Sequence, residues 1–165
     1  MALTKLNTRS GIDLSSYATS TDLSNLTTGK VLQVVQTQYV GETITTSTSW
    51  VDTGLSATIT PSSTSSKIAV LVHQSGIEKR SSDTVIHIRL LSNLADLGNF
   101  TVGACWTANS NPIRVAGAGI NLLNSPNTTS PVTYKTMQIN ASGSADVRTQ
   151  SGGSVSTMML MEIAG

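Results

Sequence analysis

The residues able to carry acid–base or metal chemistry are few and widely spaced. His73 closes the apolar run Ile68–Val72, and His87 sits inside an alternating stretch, with Glu78 and Asp83 between them. If the two strands pair as neighbours, the imidazoles approach one another and a carboxylate joins them, a donor set that metal sites use. Neither histidine has a second ligand at a recognised spacing. A partly exposed strand histidine bonded to a neighbour is the simpler expectation. No G-x-S-x-G elbow marks a nucleophile among the many serines. The carboxylates are scattered, whereas glycoside hydrolysis needs two that converge. No glycine-rich phosphate loop is present, and Glu78-Lys79-Arg80 is expected at a solvated loop tip. Cys105 is the single cysteine, so no intrachain disulfide forms; it is expected as a small buried hydrophobe beside Trp106. Exposed aromatics stack on sugar rings, but a tryptophan in a strand is more often core, and that is the expectation for Trp50 and Trp106. The loops Asn109–Pro112 and Asn124–Ser130 carry amides and hydroxyls suited to a glycan. The residues thus point away from an enzyme, with no catalytic group, metal or cofactor expected.

The elements that would position these residues are strands. Leu55–Thr60 alternates strictly, with Leu55, Ala57 and Ile59 on one face. Pro61 and the run Ser62–Ser66 stop it. Ile68–Val72 is dense enough for a central strand covered on both faces. Thr84–Leu91 alternates again. Val31–Val40, Phe100–Trp106, Ile113–Leu122, Val132–Asn140, Ala145–Thr149 and Ser156–Ile163 complete roughly ten predicted strands, with turn signals between them. No stretch has a convincing helical period. The pattern predicts an all-β antiparallel sandwich or jelly roll over residues 30–165.

Residues 1–29 form a different unit. Leu3, Leu6, Ile12, Leu14, Tyr17, Leu23 and Leu26 are spread through a Ser/Thr/Asn background at no strand spacing. They are expected to dock an N-terminal arm on another chain. Two features of the β domain point to assembly. Met158, Met159, Leu160, Met161 and Ile163 give the last strand apolar residues on both faces, and a sandwich covers only one. The second face is assigned to an oligomer interface, with a cover from the chain's own arm as the alternative. Gly117 and Gly119 within Ala116–Gly119 mark either a bend or a close subunit contact.

Composition sets limits. Ser and Thr make up nearly three residues in ten, and charged residues only 12%. A net charge of +1 gives no electrostatic reason to expect nucleic acid. No run approaches the eighteen or so apolar residues of a membrane span, and no apolar leader for export is expected at the N-terminus.

The opening Met1-Ala2-Leu3-Thr4-Lys5-Leu6-Asn7-Thr8-Arg9-Ser10 resembles the start of short virion proteins of tailed bacteriophages. Gly29–Val35, Ile59–Ile68 and the closing Leu160-Met161-Glu162-Ile163-Ala164-Gly165 are similar to their β domain. The resemblance implies a fibre, tail or capsid-decoration protein, often trimeric, with a jelly roll like that of the tumour-necrosis-factor superfamily. It implies a virion location after assembly in the host cytoplasm. The implied partners are two further copies of the chain and other virion proteins of capsid, neck or tail, with a host-surface glycan as an open addition. Thirty residues ahead of the knob are fewer than a long fibre shaft needs. That favours a short adhesive spike; the alternative is a trimeric capsid cement.

Overall fold

The computed structural model describes residues 29–93, 95–142 and 145–165. The arm and its seven docking residues, Leu3 to Leu26, lie outside the described residues. The described part is all-β and antiparallel. Its strands are β1 Val31–Tyr39, β2 Thr43–Thr45, β3 Val51–Ile59, β4 Lys67–Lys79, β5 Ile86–Ser92, β6 Ala95–Ala104, β7 Ile113–Asn124, β8 Val132–Asn140, β9 Val147–Thr149 and β10 Ser156–Ile163. They form two sheets. Sheet A runs β1-β10-β4-β7, with the short β9 and β2 continuing on the β10 side of β4; sheet B runs β3-β8-β5-β6.

Alternation puts one face of each sheet inside. Leu55, Ile59, Leu90, Val132 and Tyr134 from sheet B meet Ile68, Val70, Val72, Met158 and Leu160 from sheet A. A smaller cluster of Ile77, Ile86, Ile88 and Val147 lies further along the same strands. A layer of buried polar side chains separates the two. Thr53 Oγ1 lies 2.5 Å from Thr136 Oγ1, which donates to Gln74 Oε1 at 2.8 Å. Gln74 Nε2 in turn donates to Ser156 Oγ at 3.2 Å. These four side chains are wholly buried, and each hydroxyl or amide has a partner, as burial requires.

β4 changes phase within this layer. Ile68, Val70, Val72 and Gln74 point inward, and so does Ile77. Gly76 stands at the change with φ +60, and a Cβ there would stand 2.6 Å from the Ser151 amide nitrogen. Only glycine meets both conditions. The strand therefore runs thirteen residues, and Glu78 and Lys79 become strand residues with 2% and 0% exposure. The solvated tip expected there does not exist, because the phase change carries the strand past Val72.

Candidate functional site

Both sheets carry ion pairs, but on sheet A they are confined to the β9 end, at Glu78, Arg114 and Arg148, and the rest of its outer face differs in chemistry. Sheet B presents ion pairs: Lys135 Nζ to Asp52 at 3.1 Å and Arg89 Nη1 to Asp96 at 3.0 Å. Trp50 lies beneath the Arg89 guanidinium, 4.2 Å from ring centroid to Cζ, a cation–π contact. Sheet A presents rows that cross four strands. Val34, Met161, Ala69 and Leu123 form one; Gln36, Met159, Leu71 and Asn121 the next; Gln38, Thr157, His73 and Gly119 the third. His73 is the only titratable side chain in these rows. Val34 and Leu123 are 55% and 56% exposed. A hollow of about 460 Å³ opens on this face, lined by Leu71, His73, Asn121, Thr157 and Met159.

The last strand splits by parity. Met159, Met161 and Ile163 are half-buried on the outer face, in the place assigned to an interface. Met158 and Leu160, assigned with them, are wholly buried in the chain's own core. That assignment is corrected: alternation turns the two inward, where they pack on Leu55 and Tyr134. The dense β4 run alternates in the same way, so Ala69 and Leu71 are covered only in part. The glycines serve their own sheet. A Cβ on Gly117 would meet Gln74 O at 2.6 Å and the His73 ring at 2.9 Å, and one on Gly119 would meet Val72 O at 2.8 Å. The close approach they permit is to β4 of the same chain. Gly119 also forms part of the hollow.

The histidines do not meet. His73 lies on the outer face of sheet A, and His87 on β5 faces away from the buried Ile86 and Ile88 of sheet B. Their strands belong to different sheets, so the proximity considered from sequence is not realised. Among the described residues no three His, Cys, Asp or Glu side chains cluster in a way that suits a metal.

The burial of two carboxylates, Glu78 and Glu162, was not foreseen from the sequence. Glu78 takes Arg114 Nε at 2.9 Å and Nη2 at 2.7 Å, Arg80 at 2.9 Å, and the Ser151 hydroxyl. Burial alone would raise its pKa; Ser151 and the two guanidiniums outweigh that and lower it. Among the described residues no cation pairs with Glu162. Its oxygens accept from Ser62 N at 2.7 Å, Ser62 Oγ at 2.6 Å and Gln33 Nε2 at 2.6 Å. Burial opposes ionisation, yet these donors prevail and hold the pKa at about 2. The contacts tie the end of β10 to β1 and to the turn after Pro61.

The two ends of the domain are also unlike. The chain enters beside its own C-terminal strand, where Gly29 N donates to Ala164 O and Ala164 N to Lys30 O. At the far end of β4, Lys79 is wholly buried, and its ammonium donates to the carbonyls of Ser81 (3.0 Å) and Asn109. The β6–β7 loop pinned there carries Trp106, which is 56% exposed. The core position expected for Trp106 is thereby corrected: β6 ends at Ala104, and Cys105 at φ +62 turns the chain outward. Cys105 itself is half-buried, with Sγ 3.6 Å from Ile77 O, and burial pushes its thiol pKa up. No known protein family matches this chain, and no curated protein shows significant similarity to it.

Proposed function

We propose that this chain is a non-enzymatic structural protein of a tailed-phage virion, a short trimeric spike that displays a β knob for host-surface adhesion. The observation that carries the reading is the contrast between the outer faces. One is laced with ion pairs, as a face turned to water should be. The other gathers its ion pairs, Arg114–Glu78 and Arg148–Glu42, at the β9 end and leaves an almost uncharged band over β1, β10 and the first half of β4, with half-exposed Val34, Met161, Met159 and Leu123. Copies packed through the second face would cover it. They would also shelter β1, a nine-residue edge strand of sheet A without charge or proline. The finer fold we propose is a jelly roll. Its eight long strands follow β1-β10-β4-β7 and β3-β8-β5-β6, the alternating assignment of strands to sheets that two nested Greek keys generate.

The arm would dock the spike to the particle. Deletion of residues 1–29 is expected to leave a folded oligomer that no longer joins particles; normal incorporation of the truncated protein would refute the docking role. Particles made without the protein should adsorb poorly and keep their heat stability. Normal adsorption with lost heat stability would instead identify a capsid cement.

A further inference from the structure

We infer that the loop Cys105–Pro112, at the end of the domain opposite the arm, is a saccharide-binding tip with Trp106 as its platform. This rests on the displayed-knob reading and locates the contact that reading leaves open.

Position comes first. β1 and β10 meet the start of β4 at Lys67, through the pairs Val31 with Ile163 and Ile163 with Lys67. The arm therefore joins at that end. The loop is fastened at Lys79, twelve residues further along the same strand, which is roughly 40 Å away at strand rise. A knob anchored at one end presents the other.

Rigidity is the second argument. Among the described residues Lys79 is buried without a carboxylate partner, and its ammonium donates to the Ser81 and Asn109 carbonyls. Asp83 N donates to Thr107 O at 3.0 Å, Asn109 N to Thr107 Oγ1 at 3.2 Å, and Asn111 N to Asn109 Oδ1 at 2.8 Å. An indole on a loop held in this way is ordered before any ligand arrives, so little entropy is lost on binding.

Chemistry names the ligand class. More than half of the Trp106 surface is open to solvent, although indoles normally bury their apolar face. Its neighbours in the loop, Asn109, Ser110 and Asn111, are exposed, neutral donors and acceptors. Val102, Ala108 and Pro112 add exposed apolar surface in the same stretch. An exposed indole on a loop that also carries neutral amides and a hydroxyl matches a sugar ring, whose C–H face stacks while its hydroxyls bond. A single platform binds weakly; three on one oligomer supply avidity.

The test uses the full-length chain on an immobilised panel of neutral, amino-sugar and uronic-acid oligosaccharides of bacterial surfaces. Retention of the wild type on at least one, with a tenfold or greater loss for Trp106→Ala and an intermediate loss for Lys79→Met, is the expected result. Light scattering on the same samples should give equal masses for wild type and Trp106→Ala. Retention on no saccharide, equal retention of Trp106→Ala, or binding only to a protease-sensitive cell-surface component would overturn the saccharide tip. A monomeric mass for the wild type would count against the oligomer while leaving this comparison of retention to be judged separately.

Discussion

Glu162 concentrates what single residues contribute to this molecule. A carboxylate wholly removed from water, with no cation beside it among the described residues, is stable only because Ser62 and Gln33 direct three donors at it. Its pKa of about 2 in the folded chain lies below the ordinary value of 4.5. The stability this group contributes is therefore present above pH 4.5 and is lost as pH falls toward 2. Melting temperature should drop through that window, with Glu78 adding in the same direction. Glu162→Gln should flatten the profile and lower stability by about 2 kcal/mol at neutral pH, since its amide cannot accept all three bonds. An unchanged profile for the variant would show that Glu162 is not the group responsible. Thr136→Val probes the polar layer: it takes from Gln74 Oε1 its hydroxyl donor and should cost roughly 1–3 kcal/mol in urea unfolding. Neither feature was legible from the sequence. Glu162 sits in a run that reads as apolar, and its partners are 100 and 129 positions away. Lys79 looked solvated because nothing near it in sequence reveals the carbonyls of Ser81 and Asn109.

Strands carry the division between inside and outside. Leu55, Ala57 and Ile59 were assigned to one buried face by alternation, and all three are in the core. The same rule applied to β10 separates Met158 and Leu160 from Met159, Met161 and Ile163. The consecutive methionines obscured it, because a run that is apolar at every position has no visible phase. β4 was harder, since its inward set passes from Gln74 to Ile77 across Gly76 and a period-two pattern does not survive a change of phase. Phe100–Trp106 was predicted as a strand but overshoots at its end, where Cys105 adopts positive φ. The β10 parity yields a prediction. Leu160→Ala should destabilise the fold by roughly 3 kcal/mol through cavity formation, read as a lower urea midpoint, whereas Met161→Ala should change it by less than about 1 kcal/mol in the isolated chain. Equal losses at the two positions would mean that β10 is buried on both faces within one chain.

At the scale of the molecule, the face of sheet A is four strands wide and about eight residues long. At ordinary strand spacing and rise it covers roughly 19 by 27 Å, or about 510 Å², the larger part of the ~800 Å² per partner of a standard protein interface. The opposite face, with its Asp52–Lys135 and Arg89–Asp96 pairs, has the chemistry of a surface that stays wet. This contrast was not available from composition, because both sheets draw on the same Ser/Thr-rich strands; it appears only when register brings Val34, Met161, Ala69 and Leu123 into one row. The central claim is that this face joins copies of the chain, and the solution mass by light scattering tests it most directly. The wild type should scatter as three times the 17.2 kDa chain mass, and Met161→Asp, which would bury an unpaired carboxylate in the interface, should scatter as one folded chain. A monomeric wild type, or a Met161→Asp variant with undiminished mass, would contradict the account.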